Sequence, residues 1–373
     1  MTLSGFAEGL VARRPVAPLF ETATRRDAIA GVHDASIDYK SDHFDVLAGF
    51  TRVVWGRLDE LQPTDVINPL DVSRFFFDGR GEARLPVALI RARGHLSENA
   101  SIEGVYVPFF RRGRFDQLDE DTSPFNVGNS LAIPSVCPGG PADTCPTSIP
   151  LRVFQQEPSY SLGNSQGGVR FNATSGRVDW SASAYRGIEP FGLGALVVPS
   201  PFSSFVPINI VYPRFTMIGG DFETVRGQWG VRGEVAAFVD DNFQDPTLRV
   251  VPGQSLDAGV GVDRRAGDYR ISGIAVLHRE RYDTAIAGNS GRTDVSLVFA
   301  TDRTLARERY HLRTFGVYNP NESSGFARAI ATAKLRDNVA IEGSGGWFIG
   351  SGRDLVGRFA DNDFVYARLR YYF

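Results

Sequence analysis

The sequence predicts an all-β protein: one transmembrane antiparallel β-barrel over residues 1–373, with about 16 strands, short periplasmic turns and long extracellular loops. Three observations predict it. Stretches of about ten residues alternate apolar and polar side chains, most regularly from residue 167 onward, as strands with two different faces must. The connections between these stretches are short and long in turn. No run of about 18 apolar residues exists to make a helical span, and an alternating strand averages to near-neutral hydropathy, here −0.15. Glycine is frequent at 40 of 373 residues and aromatics reach 12%. The net charge of −3 gives no push toward nucleic acid.

In chain order, Met1-Thr-Leu-Ser-Gly5 enters a strand-like pattern at once, as expected of a mature form or one carrying an added Met. Strands are predicted at Thr2–Arg13, His33–Lys40, Phe44–Arg57, Leu85–Gly94 and Ser101–Phe110. Phe44–Arg57 alternates least cleanly, and a bulge near Gly49–Arg52 is expected to reset its phase. Pro15–Gly31 reads as a long outer loop, because a strand at Phe20–Ile29 would raise the count to an odd 17, unfavoured in a bacterial single-chain barrel. Further on, Val178, Trp180, Ala182 and Ala184 oppose Asp179, Ser181, Ser183 and Tyr185. Val235, Ala237 and Val239 likewise oppose Arg232, Glu234 and Phe238, and Ala327 to Leu335 oppose Arg328, Thr332 and Lys334. Short turns fall at 174–177, 225–228, 265–268 and 336–338, and long connections near 189–212, 241–254, 283–293, 318–325 and 350–363. The chain closes on a strand with Val365, Ala367, Leu369, Tyr371 and Phe373 on a lipid-like face and Tyr366, Arg368, Arg370 and Tyr372 on the other. That strand is expected to pair with Thr2–Arg13, leaving no free edge.

Two long loops stand out, 58–84 and 111–166, and both are expected to fold inward as a constriction or plug. The second holds Cys137 and Cys145 in a Pro/Gly-rich stretch. A local disulfide, implying an oxidising compartment, is the preferred reading over two free thiols, and no His lies near enough for zinc. Lys40 and Lys334 are the only lysines. A GC-rich genome is the preferred explanation over a need for arginine forks that grip carboxylates and lipopolysaccharide phosphates.

The stretch Val53-Val-Trp-Gly-Arg-Leu-Asp-Glu-Leu-Gln-Pro-Thr-Asp-Val-Ile-Asn-Pro-Leu-Asp71 resembles a bacterial outer-membrane family that is porin-like and largely uncharacterised. The family element reads W-G-x-x-D…P-x-D-V-I-N-P-x-D, matched by Trp55, Gly56, Asp59, Pro63, Asp65, Val66, Ile67, Asn68, Pro69 and Asp71. Gly104-Val-Tyr-Val-Pro-Phe-Phe110 and the terminal Phe373 agree with it, although more strands would be expected between Val11 and His33. The resemblance implies a channel or uptake barrel in the bacterial outer membrane and names no substrate. Independently of it, the Asp, Asn and Pro content of the element suits turns and caps, so shaping a loop is preferred over binding a ligand directly.

Catalysis is not expected. Gly163-Asn-Ser-Gln-Gly167 matches G-x-S-x-G formally, but Ser165 lies in a polar loop leading to a strand and not in the strand–turn–helix of a nucleophile elbow. The five histidines show no metal-ligand spacing, and no cofactor is implied. The water-facing charges carry the functional expectation. Arg91, Arg93, Arg170, Asp179, Arg232, Glu234, Arg313, Arg328, Glu342, Arg368 and Arg370 are expected to line the pore. Facing rows of opposite sign would orient polar solutes, whereas cross-strand pairing would merely satisfy the wall. Because the signs nearly balance, strong ion selectivity is not expected. The expected function is passive passage of small polar or amphipathic solutes, with a closed barrel serving in surface binding or scaffolding as the alternative. The expected partners are the lipid bilayer, lipopolysaccharide, small solutes and, through the last strand, the barrel-assembly machinery.

Overall fold

The computed structural model describes residues 2–16, 21–114, 151–197, 206–306, 308–350, 356–360 and 363–372. In chain order the strands are β1 (Thr2–Val16), β2 (Glu21–Lys40), β3 (Phe44–Thr51), β4 (Val87–Ser97), β5 (Ala100–Val107) and β6 (Leu151–Gln156). Next come β7 (Gln166–Ser175), β8 (Val178–Ile188), β9 (Leu193–Leu196), β10 (Val206–Val211), β11 (Arg214–Arg226), β12 (Trp229–Gln244) and β13 (Val250–Ala266). The last are β14 (Tyr269–Ile286), β15 (Asn289–Leu305), β16 (Tyr310–Asn319), β17 (Ser324–Arg336), β18 (Val339–Ile349) and β19 (Phe364–Tyr372). Two short helices, α1 (Val72–Asp78) and α2 (Arg80–Ala83), lie between β3 and β4. Sixteen strands form a closed antiparallel barrel, and β6, β10 and β9 form a separate three-stranded sheet. Closure is made by the first and last strands, whose register runs from Phe6 opposite Tyr372 to Arg13 opposite Val365.

The alternation read from the sequence is the alternation of the wall. Ile218, Val235, Val260, Phe299, Ile341, Val365 and Leu369 are exposed on the outside, while Arg170, Glu234, Arg328, Glu342 and Arg368 are buried. An outer face of this kind needs lipid to cover it. Among the described residues no helix is long and apolar enough to cross a membrane. The short turns sit on the rim where β1 begins and β19 ends, and Gly227 takes a left-handed φ of 62° in one of them, a conformation that glycine reaches without steric cost.

Several boundaries differ from the sequence reading. Residues 21–31 are not an outer loop: they extend β2, which pairs with β1 from Val16–Glu21 down to Thr2–Ser36. The strand count is unchanged, because this stretch lengthens an existing strand. Connections expected at 241–254 and 283–293 are instead continued hairpins, with β12 running to Gln244 and β15 starting at Asn289. The loop at 189–212 contains β9 and β10, and the end of the 111–166 loop supplies β6. The predicted strand Phe44–Arg57 stops at Thr51, where the chain leaves the wall. Cys137, Cys145 and Phe373 lie outside the described residues.

The inner segment as candidate functional site

Residues 52–86 turn into the barrel and pack against both sides of its interior. Asn68 ties the two ends of this inner segment together. Its side-chain oxygen accepts from Val53 N (2.9 Å), and its amide donates to the carbonyls of Leu85 (2.9 Å) and Thr51 (3.4 Å). Leu85 N donates to Pro69 O (2.8 Å), and Leu70 and Arg84 form a β-bridge. Asp65 binds both arginines of α2 and its exit, accepting from Arg80 Nε (2.9 Å) and Arg84 Nε (2.7 Å). Asp71 caps α1 by accepting from Arg74 N (3.1 Å), which satisfies one of the orphan donors at a helix start. The Asp, Asn and Pro residues of the 53–71 element therefore build this fold.

The first half of the segment meets the wall formed by β4, β5, β8, β11 and β12. Val53, Trp55 and Ile67 are buried with Leu89, Val105, Tyr185 and Met217. Trp55 Nε1 donates to Glu103 (2.8 Å), a residue that Arg93 also binds (2.6 Å). Glu234 gathers donors from the segment: Arg57 N, Leu58 N, Thr64 N (3.3 Å) and Thr64 Oγ1 (3.1 Å). Gly56 sits against this carboxylate at φ 97°, where a Cβ would come within 2.7 Å and 2.8 Å of its two oxygens. Arg57 reaches Asp221 (2.6 Å) and Glu223 (3.3 Å). Arg170 binds Asp221 from the wall itself (2.8 Å).

The second half meets β14 to β19. Phe76 and Phe77 lie buried among Phe315, Phe326, Phe348, Phe364 and Tyr366, and the ring centroids of Phe76 and Phe326 are 5.1 Å apart and T-shaped. Arg328 donates to the carbonyls of Phe75 (2.7 Å) and Phe76 (2.9 Å), a favourable place for a cation at a helix end. Asp78 accepts from Arg368 Nη1 (3.0 Å) and Tyr366 Oη (3.0 Å), with Arg370 at 3.6 Å. Burial pushes the Asp78 carboxyl up, but Arg368, Arg370 and Arg74 outweigh it and hold it at about 2. Between the two halves, Asp59 binds Arg232 (3.0 Å) and Arg270 (2.9 Å).

The inner charges are mixed on both walls. One wall presents Glu103, Asp221, Glu223 and Glu234 together with Arg91, Arg93, Arg170 and Arg232, and the facing wall presents Arg270, Arg328, Arg368 and Arg370 together with Asp263 and Glu342. The segment offers Arg57 to the first and Asp59, Glu60 and Asp78 to the second. Cross-strand ladders add to this, as in Arg93–Glu103 and Glu223–Arg232, which are also register partners. Of the residues expected along the pore, Arg232, Glu234, Arg328, Arg368 and Arg370 touch the segment directly. Arg91 and Arg93 reach it through Glu103, Arg170 through Asp221, and Arg313 pairs at 3.9 Å with Glu342, itself a partner of Arg368. Asp179 lies apart near the short-turn rim, accepting from Thr174 (2.6 Å). The alternation that turns the arginines inward turns Glu103, Asp221 and Glu223 inward as well, whereas Asp78, on α1, carries no such periodicity and was not foreseen as a counterpart of the arginines. The exit at Thr51 was not foreseen either, although the broken alternation at Val53-Val-Trp-Gly56 was its signal.

On the long-connection side of the segment lies a cavity of about 560 Å³. Leu61, Val72 and Phe75 of the segment and Phe191, Val317 and Val356 of the surroundings give it an apolar lining, with Arg80, His278, Arg292 and Asp294 at its polar margin.

The fold is similar to that of Salmonella typhi OmpF, solved in complex with daunomycin, at TM-score 0.51 and 10% identity over 100% of this chain and 97% of that one. Also similar are a porin refined at 1.8 Å resolution (TM-score 0.47, 8% identity, 100% and 99% covered) and outer-membrane expressed OmpT of Vibrio cholerae (TM-score 0.47, 8% identity, 100% and 96% covered). Comparison with curated proteins finds no match. A closed antiparallel barrel with a lipid-facing outer wall is the architecture of the bacterial outer membrane. Residues 33–266, well over half of the chain and including the whole inner segment, match one family model, and on that match this chain belongs to the family "Protein of unknown function (DUF1302)".

Proposed function

We propose that the protein is an outer-membrane channel for small polar or amphipathic solutes, with the inner segment as its constriction. The observation that carries this reading is the segment's attachment to both walls of a sixteen-stranded barrel. Barrels of this size have a lumen wide enough for an aqueous path, and an inward segment held at fixed points narrows such a path without depending on loop motion. Solutes pass by diffusion, so no nucleotide, metal or catalytic residue is required, and Ser165 has no part in the function. The near balance of inner charges favours weak ion selectivity.

The same attachment favours a second reading, a closed barrel used for surface binding or scaffolding, if the segment fills the section it crosses. Planar-bilayer recording separates the two. The channel reading expects discrete single-channel steps from the intact chain. It also expects several-fold larger steps when residues 53–85 are replaced by a short glycine–serine link. An intact chain that stays silent while the shortened barrel conducts would overturn the channel reading and support the closed one.

A further inference from the structure

We propose that the cavity of about 560 Å³ beside the inner segment is a binding site for an uncharged molecule with an aromatic or aliphatic body and one small polar end. This deepens the channel reading and rests on it for its purpose: the site would be the first station of a solute arriving from the long-connection rim. The volume falls within the range of about 300–1,000 Å³ typical of small-molecule sites.

Its chemistry follows from which lining groups are satisfied. Leu61, Phe75, Phe191, Val317 and Val356 pack on the buried aromatic cluster while remaining half-buried, so each turns apolar surface into the cavity. Burial of that surface is the attraction available to a ligand body. The charged groups at the margin are already engaged. Arg80 binds Asp65 (2.9 Å), and Arg292 binds Asp294 (2.6 Å) and Glu322 (3.4 Å). His278 lies between Asp257 (2.5 Å) and Glu280 (3.0 Å). A carboxylate ligand would lose its hydration here, and among the described residues each cation of the lining is already paired with a carboxylate. An ammonium would also be desolvated, and the carboxylates nearest to it are already shared with Arg292 and His278. Ser296 and Asn319 are uncharged lining residues suited to a hydroxyl or carbonyl.

The test uses the full chain in amphipol and equilibrium dialysis against 2-naphthalenemethanol, 2-naphthoate and 2-naphthylmethylamine. The alcohol should bind saturably, at one molecule per chain, and at least tenfold more tightly than either charged analogue. Val317→Trp, which fills the cavity, should remove the saturable component and leave only partition into amphipol. Ser296→Trp carries the same test if the first variant fails to show the heat-modifiable mobility of a folded barrel. Equal or tighter binding of a charged analogue, or saturable binding untouched by a filling variant that folds, would overturn the proposal. Dialysis does not depend on conduction: a chain that binds the alcohol but never conducts loses the channel and keeps the site. One that conducts without saturable binding loses the site alone.

Discussion

The two halves of the inner segment are held to opposite walls by different forces. In the first half, one wall carboxylate, Glu234, collects backbone and side-chain donors from Arg57, Leu58 and Thr64. Hydrogen bonds are directional, so this anchor fixes the path of the chain residue by residue. In the second half, Phe76 and Phe77 sink into a cluster of wall aromatics, and a single charged knot at Asp78 closes the end. Apolar burial tolerates small shifts, whereas an unpaired buried charge does not. The first anchor therefore sets geometry, and the second supplies adhesion whose register depends on one carboxylate and its arginines.

The sharpest way to break the second anchor is Arg368→Met. This removes the main partner of Asp78 and of Glu342 at once, and loss of one side of a buried ion pair costs about 3–5 kcal/mol. A lowered urea midpoint in detergent would report the loss, together with faster proteolysis within residues 72–86. An unchanged midpoint would mean that the aromatic packing holds α1 unaided. The first anchor should yield to a single methyl group. Gly56→Ala places a Cβ against both Glu234 oxygens and Thr64 Oγ1 at a φ that side chains rarely adopt, with a cost of about 2–4 kcal/mol from strain and overpacking together. Combining Gly56→Ala with Arg368→Met should give nearly additive losses if the anchors are independent. A strong departure from additivity would show that the segment moves as one body.

Much of the wall was legible because alternation is a local rule. Ile341 and Trp347 face out and Glu342, Ser344 and Phe348 face in, as their spacing alone requires. The length of β2 was less legible, since Glu21–Gly31 earns its strand only by pairing with β1. The hairpins that continue at 241–254 and 283–293 carry polar residues that look like loop residues. The inner segment was legible as a special loop through its Asp, Asn, Pro and Gly content, but its contacts were not. Glu234 and Thr64 are brought together over 170 positions of sequence, and Asp78 and Arg368 over 290. Nothing local in either partner names the other.

The second anchor responds to acid only well below neutrality. Asp78 belongs to the inner segment and not to a spanning strand, and its carboxyl is held at about 2 against an ordinary value of 3.8. A folded value below the unfolded one means that the group's stabilising contribution is fully present above the unfolded value and is lost as pH falls through the folded one. The second anchor should therefore be indifferent to pH between 7 and about 4 and weaken only between about 4 and 2. Asp78→Asn isolates this carboxylate from the other acids of the barrel. At neutral pH the difference in unfolding free energy between the intact chain and this variant should be roughly 2 kcal/mol, the value of such a shift. It should stay constant down to about pH 4 and shrink toward zero near pH 2. A difference that closes by pH 5 would show that the arginines around Asp78 do not hold it ionised, and the charged knot would then add little to the aromatic packing.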